Sequence, residues 1–287
     1  MAKGYVIYNP LAGNGQAEAD AQLLQFVLKE DLEYYDMTRI TNYAAFVGNM
    51  KREDYLVIVG GDGTLNRFAN ATDGLEITQQ ILYLPAGTGN DFAKDIGMGA
   101  DPHPITEYLK ALPSVEVKGK RYRFVNGVGY GIDGYCCQVG DELRKIPGKK
   151  VNYAGIAIKG LLFHFVPRNA KVTVDGKEYI YKKVWIAPTM HGKFYGGGMI
   201  PAPQQDRNSG KLSVMLFYGA GRLRTLCVFP GIFKGTHVKH KNMVAVHTGN
   251  EITVEFDRPA PLQIDGETIL DVTGYKAVTA MCGASLH

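Results

Sequence analysis

Tyr55-Leu56-Val57-Ile58-Val59 runs directly into Gly60-Gly61-Asp62-Gly63-Thr64, and this junction decides the fold. Five apolar residues in succession read as a strand buried on both faces, the kind found inside a parallel sheet. Three glycines in the next four positions stop the strand. They let backbone turn sharply and approach a ligand closely. Leu65, Phe68 and Ala69 then recur at helical spacing.

Working outward, the same alternation repeats on either side. Tyr5-Val6-Ile7-Tyr8 is a short strand ended by Asn9-Pro10, and Ala17, Ala21, Leu24 and Leu28 mark a helix over 16–30. Glu33 to Thr38 reads as a strand, Tyr43 to Met50 as a helix, and Ile81 to Leu84 as a further strand before the glycine turn at 87–89. Strand and helix alternating through short loops indicates a doubly wound parallel sheet covered on both faces. Near residue 115 the texture changes to short strands: 115–128, 171–174, 181–187, 212–218, 243–247, 251–256 and 261–264. Turn-like pairs such as Asp175-Gly176, Ser209-Gly210, Gly249-Asn250 and Asp265-Gly266 separate them, which suggests an antiparallel sandwich. The expected organisation is an α/β domain over 1–115 and a β domain over 116–287, with a cleft between them. The last residues are free in this reading to return to the first domain.

The bulk numbers agree with two globular domains. The 287 residues are 45% hydrophobic and 21% charged, which excludes a disordered chain. Thirty-five glycines without a G-x-y period belong at turns and at close backbone approaches to a ligand. A net charge of +4 suits anionic partners without singling one out. Cys136, Cys137, Cys227 and Cys282 form no C-x-x-C pair and read as reduced cytosolic thiols. The chain enters a strand within a few residues of Met1 and shows no signal-peptide core, and no stretch approaches the length of a membrane span. The expected location is therefore cytoplasmic, with membrane contact at most peripheral.

Ligands of an open parallel sheet bind beyond the carboxyl ends of its strands. Three glycine turns fall at such ends: Asn9-Pro10-Leu11-Ala12-Gly13-Asn14-Gly15, Gly60–Thr64, and Pro85-Ala86-Gly87-Thr88-Gly89-Asn90-Asp91. Each leads into a helix, so backbone N–H groups and positive helix ends converge on one crevice suited to phosphate. An acidic residue inside such a turn repels phosphate unless a cation lies between, so Asp62 predicts Mg²⁺. The turns match neither the P-loop nor the dinucleotide fingerprint nor the protein-kinase signatures.

Taken in order, Gly60-Gly61-Asp62-Gly63-Thr64-Leu65-Asn66, Pro85-x-Gly87-Thr88-Gly89-Asn90-Asp91-Phe92-Ala93 and Asp265-Gly266-Glu267 resemble the diacylglycerol kinase catalytic-domain family. That family includes bacterial soluble lipid kinases and, more distantly, sphingosine and ceramide kinases. The resemblance spans nearly the whole chain. G-G-D-G-T alone is shared with NAD kinases; G-T-G-N-D-F-A is more specific. The resemblance implies an α/β nucleotide domain followed by a β-sandwich, with the active site in the cleft. It implies ATP held by Asn9, Pro10, Leu11, Ala12 and Gly13, by Thr38, by Gly60, Gly61, Asp62, Gly63, Thr64, Leu65 and Asn66, and by Thr88. It also implies Mg²⁺ and its waters organised by Asp62, Asp91 and Glu116, the last being longer than the usual Asp. Glu267 is then the general base and Asp265 its support, in an enzyme of phospholipid biosynthesis that phosphorylates a membrane lipid, diacylglycerol first.

The chain also departs from the family. Arg67 stands where Glu is usual, and Asn208-Ser209-Gly210 stands where many bacterial members have D-D-G, whose second Asp binds a structural Mg²⁺. A hydroxyl is a poor ligand for a hard cation, so that second metal is not expected here. Two other readings stay open: an NAD-kinase-like phosphotransferase with a soluble acceptor, and a nucleotide-binding regulator with weakened catalysis. The segment 144–168 joins Arg144, Lys145, Lys149, Lys150, Lys159 and Arg168 to Ile156, Leu161, Leu162, Phe163 and Phe165. It reads equally as a membrane-resting amphipathic segment and as a helix packed on the sandwich. Gly196-Gly197-Gly198-Met199 is a candidate acceptor-side loop. His237-x-x-His240 and His247 lack partners for a metal site, and Trp185 reads as core. No nucleic-acid motif is present. A homodimer is compatible with everything above.

Overall fold

The apolar run at 55–59 is the middle strand of the first sheet. The computed structural model describes residues 2–28, 31–146 and 152–280; Lys149, Lys150 and Cys282, and the last residues as a possible return to the first domain, lie outside them. Two units divide the chain, Met1–Leu112 and Pro113–His287.

The first unit holds β1 (Gly4–Tyr8), α1 (Ala17–Leu28), β2 (Leu32–Asp36), α2 (Tyr43–Gly48), β3 (Tyr55–Gly60), α3 (Asp62–Ala71), β4 (Gln80–Pro85), α4 (Asp91–Asp95), β5 (His103–Pro104) and α5 (Thr106–Lys110). The sheet order is β2-β1-β3-β4-β5, parallel except for the short last strand. Side chains alternate across a strand. Val6, Val57 and Val59 accordingly share one face, where Ala17, Ala21 and Leu24 of α1 cover them. Phe68 of α3 meets Tyr43 of α2 edge-on, ring centroids 5.9 Å apart.

The second unit contains β6 (Ser114–Val117), β7 (Lys120–Arg123), β8 (Gly127–Tyr130), α6 (Ile132–Arg144), α7 (Tyr153–Lys159), β9 (Arg168–Val174), β10 (Lys177–Val184), β11 (Thr189–Met190), β12 (Leu212–Phe217), α8 (Arg222–Val228), β13 (Val244–Gly249), β14 (Glu251–Ile264) and β15 (Glu267–Val278). Among the described residues these strands form one antiparallel ten-stranded sheet. Its path is β13-β12-β11-β8-β14-β15-β6-β7, with β9 pairing β14 and β10 pairing β9. A large apolar core gathers Val128, Tyr130, Val172, Leu212, Val214, Val254 and Leu262. A separate one joins Ile132 and Cys136 of α6 to Trp185, Met215 and Phe217.

Four features differ from the sequence expectation. The segment 115–128, expected as one strand, is the antiparallel pair β6 and β7 followed by the start of β8. The segments 251–256 and 261–264 are one strand, β14, whose pairing with β15 slips around Ala260. Pro259 and Pro261, lacking N–H groups, sit at that irregularity. The strand β15 follows Asp265-Gly266 for twelve residues although its apolar positions are sparse. Helix α6 is obscured in the sequence by Gly127, Gly129 and Gly131 before it and Gly134 within it, although Ile132, Cys136, Val139 and Leu143 carry helical spacing. Those glycines are spatial requirements. A Cβ on Gly134 would stand 2.1 Å from the Pro261 carbonyl oxygen, so α6 rests backbone-to-backbone on β14. Gly134→Ala should therefore lower unfolding stability by about 2 kcal/mol or more, read as a reduced urea midpoint. An unchanged midpoint would contradict this contact.

Candidate functional site

In the first unit the three glycine turns interlock at the carboxyl ends of β1, β3 and β4. A Cβ on Gly87 would lie 2.4 Å from Gly61 Cα, and one on Gly60 would lie 2.3 Å from the Thr64 hydroxyl. Gly13, at φ 56°, would meet the Ala86 carbonyl at 2.4 Å. Only glycine lets the three turns approach so closely. Polar bonds then lock them. Asn9 Nδ2 donates to Thr64 Oγ1 at 3.2 Å, and the Leu11 N–H donates to Asn9 Oδ1 at 3.1 Å. The Gly60 carbonyl accepts from the Ala86 N–H and from the buried Tyr83 hydroxyl, each at 2.8 Å.

Asp62 opens α3, and its carboxylate reaches across to the start of α4. Its two oxygens accept the N–H groups of Asp91 at 3.0 Å and Phe92 at 2.8 Å. Those amides have no intrahelical acceptor, and a negative charge there is favoured by the α4 dipole. Asn90, in a left-handed conformation, exchanges hydrogen bonds with the Gly87 backbone at 2.9 Å in both directions. Asp91 is buried beneath the turn, with Lys94 Nζ 3.8 Å from its carboxylate.

Thr38 lies just past the end of β2 and closes on Asp36, giving both its N–H, at 2.8 Å, and its hydroxyl, at 2.7 Å, to Asp36 Oδ1. The Thr38 hydroxyl is the main reason the Asp36 carboxyl stays below its usual range, and Arg39 and Arg67 add to it. The reversed charge at Arg67 thus has Asp36 as its electrostatic neighbour.

In the second unit Asp265-Gly266 joins β14 to β15 as a two-residue hairpin turn. Both residues have positive φ, 45° and 99°, as a type I′ turn requires. The Asp265 carboxylate accepts three consecutive N–H groups, those of Val125, Asn126 and Gly127, the last two at 2.8 and 3.0 Å. The same segment is held from its carbonyl side by Arg207. This buried guanidinium donates to the Val125 carbonyl at 2.6 Å and to Asn126 Oδ1 at 2.9 Å. Glu267 follows the turn with its side chain exposed.

Beneath the turn, the Gly266 N–H donates to Gln263 Oε1 at 2.6 Å, and Gln263 Nε2 donates to Asp133 Oδ2 at 2.7 Å. Burial pushes the Asp133 carboxyl up to about 6; the Gln263 bond and the neighbouring Tyr195 hydroxyl pull it partly back. That hydroxyl faces Asp133 without reaching full hydrogen-bond geometry. Burial, with Arg207 nearby, drives the His191 imidazole well below its ordinary value, so it is neutral at physiological pH.

Two family descriptions divide this architecture between them. "Diacylglycerol kinase catalytic domain" matches residues 3–118, and "YegS C-terminal NAD kinase beta sandwich-like domain" matches 126–280. Residues 3–118 belong to the diacylglycerol kinase catalytic-domain family, and residues 126–280 to the family of the second description. A Mycobacterium tuberculosis protein named diacylglycerol kinase is 29% identical over 262 residues, covering 83% of this chain and 81% of the relative. A crystal structure described as a diacylglycerol kinase from Bacillus anthracis superposes with a TM-score of 0.63 at 19% identity. It covers 97% of this chain and 94% of that one, a likeness of fold.

Within this family member, Asn9, Gly13, Gly60, Gly61, Asp62, Thr64 and Asp91 meet in the interlocked turns. Leu65 is fully buried and Asn66 and Thr64 nearly so, whereas Leu11, Thr88 and Thr38 are exposed. Asp265 and Glu267 share one turn of the second unit. Glu116 is on that unit too, but stands opposite Arg121 and Lys276 in the sheet register. Lys276 lies nine residues along β15 from Glu267, so Glu116 and Glu267 belong to different ends of that strand. Among the described residues no three acidic, His or Cys side chains are grouped to hold a metal alone. A carboxylate accepts at about four lone-pair directions, so backbone N–H bonds orient the Asp62 carboxylate in a way compatible with a nearby cation. The arrangement fits a cation that shares its shell with phosphate oxygens and water, not a closed protein cage. Near Ser209 the loop closes on itself: Ser209 Oγ donates to the Asp206 carbonyl at 2.7 Å, and Asp206 Oδ1 accepts the Asn208 N–H at 2.9 Å.

Sequence reasoning passed over Asp133, Gln263 and Arg207. The available signal was a charged residue inside the glycine-dense stretch 127–134, where close packing leaves no water for it. The raised Asp133 value has a measurable consequence. The unfolded chain loses this proton near pH 4 and the folded chain near 6, so the wild type loses stability as pH rises across that window. Asp133→Asn should match the wild type near pH 4 and exceed it by about 2 to 3 kcal/mol above pH 6.5. Denaturant titrations at both pH values check this.

Proposed function

We propose that the protein is an ATP- and Mg²⁺-dependent lipid kinase that moves the γ-phosphate onto a lipid hydroxyl, diacylglycerol being the first acceptor to test. The interlock of Asp62 with α4 carries this reading. It presents a preformed phosphate turn, with a carboxylate oriented for a cation, in a domain matched to diacylglycerol kinases. The names of the relatives point to the same acceptor.

Each side chain then has a task. Backbone N–H groups where β3 turns into α3 receive phosphate oxygens. Asn9 and Thr64, bonded to each other, hold the first turn against the second. Asp62 and Asp91 would hold Mg²⁺, which when bound neutralises charge across the β- and γ-phosphates. Glu116, flanked by cross-strand cations, is the weaker metal candidate. Glu267 takes the proton of the acceptor hydroxyl as its oxygen bonds to the γ-phosphorus and the bond to the β–γ bridging oxygen breaks, releasing ADP. Asp265 fixes the turn from which Glu267 acts.

A peripheral membrane contact accompanies this reading. Phe163 and Leu223 are 72% and 74% exposed, and Ile158, Val166 and Phe233 are also exposed. Lys159, Arg224 and Lys234 stand among them, exposed as well. The two segments are tied together by Arg222, which donates to the Leu161 and Phe165 carbonyls at 2.7 and 3.0 Å. Exposed apolar side chains with cations beside them in the sequence suit an anionic lipid surface. Among the described residues no helix is long and apolar enough to cross a membrane.

Glu267→Gln should bind ATP normally while turnover falls by roughly 10²–10⁴-fold. Near-normal turnover would remove Glu267 as the base. The assay runs diacylglycerol micelles, ceramide and NAD⁺ side by side with labelled ATP. Label in NADP⁺ alone would refute the lipid acceptor, and tight ATP binding with no product would favour a regulator. Phe163→Ala with Leu223→Ala should weaken co-sedimentation with vesicles containing phosphatidylglycerol without changing ATP binding; unchanged co-sedimentation would dismiss this face.

A further inference from the structure

The turn carrying Glu267 is held from beneath by a chain of hydrogen bonds that ends on a buried carboxylate. Gly266 N–H meets Gln263 Oε1, and Gln263 Nε2 meets Asp133 Oδ2. A side-chain amide offers an oxygen on one side and an NH₂ on the other. With the oxygen toward Gly266 the turn amide is satisfied; with the NH₂ toward it, two donors face each other. An ionised carboxylate accepts only, so Asp133 admits only the first orientation. Gln263 is 3% exposed and Asp133 9%, so water is poorly placed to substitute for either partner.

The surroundings are built around this contact. A Cβ on Gly129 would fall 1.6 Å from Asp133 Oδ2 and 2.6 Å from Gln263 Nε2. Gly131, at φ 98°, starts α6 so that Asp133 lies in its first turn, and Gly134 lets that turn sit on the β14 backbone. Tyr195 approaches the same carboxylate from the Tyr195–Met199 loop, whose ends bond to each other at 3.0 and 3.1 Å. The carboxylate is uncomfortable in this place, where an apolar side chain would cost less.

We propose that Asp133 is a positioning residue for phosphoryl transfer: through Gln263 it sets the Asp265-Gly266-Glu267 turn and hence the direction of the Glu267 carboxylate. The inference rests on the reading of Glu267 as the base, and it assigns a role to a residue outside the motifs that carry the family resemblance.

The test uses D133N, Q263E and the double variant D133N/Q263E in the full chain. D133N lets the Gln263 amide flip. Q263E sets two carboxylates against each other. In the double variant the introduced amide donates to the introduced carboxylate, whose other oxygen accepts the Gly266 N–H, so the chain is restored with only the bond between positions 133 and 263 reversed. Both single variants should lose roughly 10- to 100-fold in turnover with an unchanged KM for ATP. The double variant should recover most of that loss. Hydrogen exchange at the Gly266 amide should speed up in each single variant and slow again in the double.

Thermal melts accompany each measurement, and D133N, expected to be the more stable fold at neutral pH, removes misfolding as an explanation for slow turnover. A double variant no faster than the singles, or Gly266 exchange unmoved by D133N, would overturn the proposal. If the wild-type chain phosphorylates no lipid, the kinase reading fails, while Gly266 exchange still decides whether Asp133 positions the turn.

Discussion

Gly61 and Gly87 touch through their backbones, and the architecture of the three glycine turns follows from that contact. With a side chain at either position the second and third glycine turns would stand apart. Because they do not, the Asp62 carboxylate spans from the first residue of α3 to the first amides of α4. One charge thereby serves two helix starts and satisfies two backbone donors. Preorganised dipoles and charges cost no rearrangement when phosphate charge develops, which is the usual origin of large catalytic effects.

The second unit solves a different problem with similar means. Residues 125–127 enter β8 without a full set of ladder partners, and buried backbone groups left unpaired are expensive. Asp265 takes their N–H groups and Arg207 takes the Val125 carbonyl, so opposite charges bracket one short segment. The hairpin bearing Glu267 is anchored by that bracket on one side and by Gln263 on the other. The two-residue turn that precedes the exposed Glu267 is thereby held on both sides. The turn is at once an ordinary type I′ hairpin and the mount of the proposed base; the two readings of Asp265-Gly266 do not compete.

Arg67 and Ser209, the two departures from the pattern of the resembled family, each find a local accommodation. Arg67 adds to the field that keeps Asp36 ionised. Ser209 closes its loop by bonding to the Asp206 carbonyl, and the buried positive charge close by in sequence is the Arg207 guanidinium.

Short-range patterns were enough to read much of this molecule. The apolar run 55–59, its glycine turn and the change of period near 115 specified a parallel sheet followed by an antiparallel one, because strand and helix periods and glycine stops are local properties. Asp62, Asp91, Asp265 and Glu267 could be singled out as candidates for the same reason: each sits inside a short motif. Helix α6, strand β15 and the Asp133–Gln263 pair were not. The contacts of α6 and Asp133 with β14 span about 130 residues and depend on glycines that touch distant backbone, while β15 pairs β14 and β6 with few apolar positions to mark it. Tertiary structure alone decided that Asp62 would cap α4, that Glu116 would stand among cross-strand cations, and that a carboxylate would be buried beneath the Glu267 turn. Those outcomes are set by which surfaces meet and exclude water, and no window of sequence contains both surfaces.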